Sequence, residues 1–187
     1  MNIIGTGLSG LVGSRVAELL GPTHAFEDLS LDTGVDITKE DIVVSRIEAS
    51  GAPWVLHFAA KTDVDGAERE RELGVQSSSW IVNVHATEYI VAACRHSGKR
   101  LLYVSTDYVF DGSKEAYTEK DTPNPQGWYA VTKFEGEKRV AELGDKSLII
   151  RIANPYRAQF APKPDFVAKI REKLAAGERI SSPSDQL

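Results

Sequence analysis

Short apolar runs alternate with helical patterns from one end of this chain to the other, and that alternation leaves few folds open. Strands that run parallel need long crossover connections, and helices usually supply them. The candidate strands are Asn2–Ile4, His24–Glu27, Trp54–Phe58, Arg100–Ser105 and Leu148–Ile152. Between the first two, Val12, Val16, Leu19 and Leu20 recur at helical spacing, and Gly21-Pro22 stops the helix. Further helices are expected over Val82–His96, with Val84, Ile90, Val91 and Cys94 inward, over Gln126–Leu143 between Pro125 and Gly144, and over Asp165–Ala176 before Gly177. The polar stretch Val109–Gly127 reads as a long loop over the carboxyl edge of the sheet, where loops of such folds carry function.

The bulk numbers narrow the functional classes. With 187 residues, 42% of them hydrophobic, the chain buries one sizeable core, and one domain is expected. A net charge of −5 with no stripe of Lys and Arg argues against a nucleic-acid partner. No apolar run approaches the roughly 20 residues that span a bilayer, so no membrane partner is expected. The N-terminus enters a glycine-rich motif without a basic segment ahead of it, which is not a signal-peptide pattern. Cys94 is the one cysteine, so no internal disulfide forms, and a cytoplasmic location is the expectation.

Gly5-Thr6-Gly7-Leu8-Ser9-Gly10-Leu11-Val12-Gly13 follows the first strand and opens a helix. That is the context a dinucleotide-binding turn requires. Gly7 and Gly10 let the backbone turn tightly and approach a pyrophosphate, Gly13 lets the helix pack closely, and the helix N-terminus favours the anion. An acid roughly 20 residues on holds the ribose hydroxyls. Glu27 and Asp28 both end the second strand, and Asp28 is the choice. No Arg follows directly, which favours NAD(H), with NADP(H) open as the second cofactor. The expected fold class is therefore α/β, a doubly wound parallel sheet of Rossmann-like, NAD(P)-binding type over residues 1–187. A ligand-free glycine-rich turn is the plain alternative for this motif alone.

The middle of the chain carries the chemistry. Tyr129 and Lys133, four apart, share one face of a helix. Thr106 ends the preceding strand and brings a hydroxyl to them. A free phenol near pKa 10 trades protons poorly at neutral pH, and a neighbouring ammonium is expected to pull that value down. Lys133 also suits a nicotinamide ribose, Thr106 a substrate carbonyl oxygen, and Tyr129 the transfer of the proton. A Tyr-x-x-x-Lys spacing alone is a weak signal; a hydroxyl-ended strand and a dinucleotide turn in the same chain give it weight.

These segments resemble those of the extended short-chain dehydrogenase/reductases, nearest to the branch that reduces nucleotide-linked deoxysugars. The resemblance runs through Thr6–Gly13, Val35-Asp36-Ile37-Thr38, His57–Glu68, Ser105-Thr106-Asp107-Tyr108-Val109-Phe110-Asp111-Gly112 and Tyr129–Glu137, nearly the whole chain. It implies cofactor contacts at Gly7, Gly10, Leu11, Val12, Gly13, Asp28, at Asp36 and Ile37 beside the adenine, and at Ala59, Ala60, Lys61, Val104, Tyr129 and Lys133 along the cleft. It implies catalytic positions for Thr106, Tyr129 and Lys133, with Thr106 and Asp107 near the sugar. Asn83 matches a helix asparagine that belongs either to a proton relay or to the helix surface. The implied reaction is NAD(P)H-dependent reduction of a keto group on a nucleotide sugar, with a homodimer as one arrangement.

Two departures stand out. Ala153-Asn154 occupies the place of the family's Ser-Trp, and Ser184-Asp185-Gln186-Leu187 resembles a segment just before much of the substrate-binding lobe. The chain then reads either as a fragment or as a naturally shortened relative, with that lobe largely absent. Other readings follow the same residues. A nucleotide-sugar epimerase or dehydratase is one; dehydratases of this family typically put Asp-Glu after the catalytic hydroxyl, whereas Asp107-Tyr108 follows Thr106 here, which favours simple reduction. A non-catalytic cofactor-binding subunit, like the regulatory partner of methionine adenosyltransferase, suits a missing lobe but not an intact Thr106/Tyr129/Lys133 set. His24, His57, His85 and His96 lack metal-ligand spacing, and His57 is expected as a hydrogen-bonded core residue. Asp63-Val64-Asp65-Gly66 hints at a calcium loop but lacks the later ligands, so a loop entering a charged helix is the better reading. Trp128 is expected either to wall the cleft or simply to pack.

Overall fold

The computed structural model describes residues 1–157 and 165–180. Five strands form one sheet: β1 (Asn2–Thr6), β2 (Ala25–Leu29), β3 (Trp54–His57), β4 (Arg100–Thr106) and β5 (Ser147–Ile152). Their order is β2-β1-β3-β4-β5, and every pairing is parallel. All five expected strands are present, with ends moved by one or two residues. The connecting helices are α1 (Leu11–Leu20), α2 (Glu40–Ala49), α3 (Val64–Arg69), α4 (Ser78–Trp80), α5 (Ala86–Ser97), α6 (Trp128–Ala141) and α7 (Phe166–Ala175).

The chain steps outward from β1 to β2, then returns past β1 to β3. Right-handed crossovers therefore place α1 on one face of the sheet and α2, α5 and α6 on the other. The second face holds the main core, where Ile4, Val55, Leu101 and Tyr103 from the strands meet Val43, Ile47, Ile90, Cys94 and Val140 from the helices. On the first face the β4–β5 edge is more open: Leu148 is 49% exposed, and it pairs in register with half-buried Leu102.

Several differences from the sequence reading have local causes. The helix expected over Val82–His96 begins at Ser78, because Ser77 Oγ caps it by accepting from Trp80 N at 3.2 Å. It passes through one π-turn, Ile81–His85, before continuing as α5. Helix α2 is not expected from the sequence pattern. Its Ile42-Val43-Val44 run looks strand-like, and it buries only Val43 and Ile47, one turn apart. Asp165 lies outside α7 as its cap, accepting from Ala168 N at 2.8 Å. The segment Ser184–Leu187 lies outside the described residues. Among those described, no helix is long and apolar enough to cross a membrane.

Candidate active site

The sheet order reverses between β1 and β3, so a crevice opens at their carboxyl ends, where ligands bind in folds of this kind. The turn after β1 is built for a close backbone approach. Gly7 has φ +67°, and a Cβ there would sit 2.6 Å from Ala59 N. A Cβ on Gly13 would sit 2.3 Å from Gly7 O, so α1 packs directly on the turn. Gly10 N donates back to Gly7 O at 3.0 Å, and Gly10 then leads into α1 in an extended conformation. The N–H groups of Leu11, Val12 and Gly13 open the helix, where a helix offers donors to an anion.

Asp28 lies near the end of β2, beside Gly5 in the β1–β2 register. Its Oδ2 accepts from Ser30 Oγ at 2.9 Å. Its Oδ1 is buried and lacks a hydrogen-bond partner among the described residues. A buried carboxylate oxygen left unpaired is costly, and a ribose hydroxyl is the donor that suits it. The donor set and the cradle thus fit a dinucleotide. The other cofactor candidates are arranged less directly. The Asp36 carboxylate accepts from both the amide and the hydroxyl of Thr38, which lowers its pKa. Ile37 points into the core.

The loop after β3 is tied down from two sides. Thr6 Oγ1 accepts from Ala59 N at 3.3 Å, and it contacts His57 Nδ1 at 2.6 Å. His57 Nε2 contacts Thr87 Oγ1 at 3.1 Å, and that hydroxyl donates to Asn83 O. His57 is fully buried, and burial pushes its pKa down to about 3, so the ring stays neutral, as a hydrogen-bonded core histidine should. Asn83, in the π-turn, is 1% exposed and so is no surface residue. Its Oδ1 accepts from Lys61 N at 2.8 Å, and its Nδ2 donates to Lys61 O and to Thr132 Oγ1. Asn83 thereby joins the Ala59-Ala60-Lys61 loop to α6.

Thr106, Tyr129 and Lys133 come together at the carboxyl end of β4. Thr106 Oγ1 donates to Asp107 at 3.0 Å and accepts from Tyr108 N at 3.2 Å, starting a short turn. Tyr129 stands edge-on to Tyr108, with ring centroids 6.2 Å apart. Lys133, 2% exposed, donates from Nζ to Val104 O at 2.8 Å and lies 4.0 Å from the Tyr103 ring centroid. Burial pulls its pKa down to about 7, against the opposing pull of Glu137. The expected lowering of the Tyr129 phenol is not found. Burial pushes it up to about 12, the Thr106 hydroxyl acts against that, and Asp107 and Tyr108 add to it. The physical reason is that the ammonium bonds the β4 backbone, and desolvation governs the phenol.

The loop that follows is held by its own acids. Asp111 accepts from Tyr117 Oη, Ser113 N and Asn124 Nδ2, which keeps its carboxyl well below the usual range. Phe110 stacks on Tyr117 at 4.3 Å. Trp128 stacks on Trp80 at 5.7 Å and donates to Ser77 Oγ, so it packs against α4. Asp63 caps α3 by accepting from Gly66 N at 3.0 Å, a loop entering a helix. Asn154 has φ +37°, a conformation Asn tolerates better than most residues. Sequence reasoning missed Thr6, Thr87, Glu137 and Arg151. Spacing was the available signal for two of them, since Thr87 follows Asn83 by four and Glu137 follows Lys133 by four.

A scan against protein-family models matches residues 1–187 to the RmlD substrate binding domain. The chain belongs to the RmlD substrate-binding domain family. A dTDP-4-dehydrorhamnose reductase of Aggregatibacter actinomycetemcomitans is 36% identical over 185 residues, covering 96% of this chain and 61% of that protein. A solved structure of a hypothetical dTDP-4-dehydrorhamnose reductase from Sulfolobus tokodaii superposes with a TM-score of 0.83 at 31% identity. It covers 96% of this chain and 64% of the other. The Bacillus anthracis dTDP-4-dehydrorhamnose reductase in complex with NADP gives 0.82 at 29% identity, over 94% of this chain and 60% of that one. This RmlD-family chain therefore spans about three fifths of the length of these relatives, and its doubly wound, Rossmann-like fold is theirs.

Proposed function

We propose that residues 1–187 form the nucleotide-binding part of an NAD(P)H-dependent reductase acting on a keto group of a nucleotide-activated deoxysugar, with dTDP-4-dehydrorhamnose the favoured substrate. The observation that carries the reading is the meeting of Thr106, Tyr129 and Lys133 at the carboxyl end of β4, beside a glycine cradle whose Asp28 keeps one buried oxygen unpaired. The relatives' names support the substrate class.

In this reading Gly7, Gly10 and the first turn of α1 hold the pyrophosphate, Asp28 holds the adenosine ribose, and Ala59, Ala60, Lys61 and Val104 line the cleft. Asp28 also favours NAD(H), because its charge opposes a ribose phosphate. A bound dihydronicotinamide supplies the hydride. Tyr129 gives its phenolic proton to the carbonyl oxygen as that oxygen gains charge, Thr106 fixes the oxygen's direction, and Asp107 lies toward the sugar. Lys133 stands under the same strand end, where its side chain suits the nicotinamide ribose. Asp107-Tyr108 after Thr106 favours reduction over dehydration.

Tyr129→Phe tests the assignment. It should lower turnover of dTDP-4-dehydrorhamnose by at least about 100-fold, the usual worth of a positioned acid, while NADH affinity stays nearly unchanged. Full turnover in that variant would remove Tyr129 from the mechanism. Tight nicotinamide binding by the parent chain with no turnover of any nucleotide sugar would favour a non-catalytic binding subunit instead.

A further inference from the structure

Lys133 and Glu137 lie one turn apart on α6, on the same face of the helix. Both are buried, at 2% and 3% exposure. A buried carboxylate needs partners, and Glu137 has two hydrogen bonds from one side chain: Arg151 on β5 donates from Nε at 2.9 Å and from an Nη at 2.6 Å. The two parallel bonds fix the carboxylate in place. Arg151 is itself held, with its guanidinium 4.9 Å from the Phe110 ring centroid. This anchorage connects β5, α6 and the start of the loop after β4.

The surroundings of Lys133 leave Glu137 as the one negative charge acting on it among the described residues. Tyr129 on α6 and Tyr103 on β4 are phenols that burial keeps protonated. His57 on β3, whose ring centroid is 5.4 Å from that of Tyr103, stays neutral. Val104 offers a carbonyl dipole. Arg151 faces Glu137. Without a counter-charge, a buried amine in this setting sheds its proton.

We propose that Glu137 is a positioning residue for this site: anchored by Arg151, it supplies the counter-charge that opposes loss of the Lys133 proton beneath the end of β4. The inference rests on reading Lys133 as the working lysine, but its test needs no turnover. The competing role is purely structural, a buried pair that ties α6 to β5.

The experiment follows the Lys133 side chain by NMR in the full chain with isotope-labelled lysines, its signal assigned by loss in Lys133→Met. The pH midpoint of Lys133 should fall by about one unit or more in Glu137→Gln, the scale of a charge one helical turn away, and Glu137→Asp should recover most of it. Should Glu137→Gln fail to fold, the double variant Glu137→Met/Arg151→Met replaces the whole pair by apolar side chains, an exchange that buried pairs often tolerate. Because the Arg151 cation leaves with the carboxylate, the midpoint should fall in the same direction but by less. An unmoved midpoint in either folded variant overturns the proposal and leaves a structural tie. Failure of the catalytic reading shows separately, as turnover retained in Lys133→Met while the Glu137 shift persists.

Discussion

Lys133→Met should make the protein more stable while removing the lysine's chemistry. The folded-state pKa of Lys133 is about 7, against 10.5 for the free side chain, because the ammonium is buried. Between those values the unfolded chain holds the proton and the folded chain gives it up. Stability therefore rises with pH from about 7 to 10.5 and levels off above, and the full cost is present at and below pH 7. At about 1.4 kcal/mol per unit that cost is on the order of 5 kcal/mol. Methionine removes it but leaves the Val104 carbonyl without its donor and forfeits the contact with Tyr103, together about 2–3 kcal/mol. A net gain of about 2 kcal/mol near pH 7 is expected, fading as the pH approaches 10.5. Urea unfolding of both proteins across that range measures it. A variant no more stable at pH 7, or one whose advantage does not shrink with rising pH, would refute a buried, desolvated ammonium.

Other consequences are simpler to test. Gly7→Ala should cost at least about 2 kcal/mol of stability and abolish nicotinamide binding, since a Cβ at positive φ collides with the Ala59 backbone. Denaturant melts and a cofactor titration report the two effects. Asn83→Ala should cost about 2–3 kcal/mol, because it leaves both Lys61 backbone groups and the Thr132 hydroxyl without their amide partner. Hydrogen exchange should then rise at Lys61 before the rest of the sheet. Cys94 should resist thiol reagents until the protein unfolds, as its thiol is buried and pushed up to about 12. Rapid modification of the folded chain would contradict its core placement.

The sheet was legible because parallel buried strands write themselves as apolar runs, and the dinucleotide turn because glycine is the residue that fits against Ala59. Lys133 and Tyr129 were legible through helical spacing and the resemblance. Helix α2 was hidden by its β-branched run, and it forms because Val43 and Ile47 pack against α5. The π-turn at Ile81–His85 was equally invisible, since a one-residue shift of helical register changes no residue type. The direction of the Tyr129 shift is not legible in the sequence, because position along a helix says which side chains are near, not how much water reaches them. The Thr6–His57–Thr87–Asn83 hydrogen-bond chain spans three distant segments, so it needed the fold before it could be seen. The Glu137–Arg151 pair needed the fold for the same reason.

The most direct test of the account is a fluorescence titration of the chain with NADH and then NADPH, repeated with Asp28→Ala. The account predicts micromolar binding of NADH, weaker binding of NADPH, and a loss of about tenfold or more in NADH affinity without the Asp28 carboxylate, the worth of one good hydrogen bond to a charged group. No binding by a chain shown to be folded would contradict the dinucleotide cradle. NADPH bound more tightly than NADH, or an Asp28→Ala variant that binds as well as the parent, would contradict the role of Asp28.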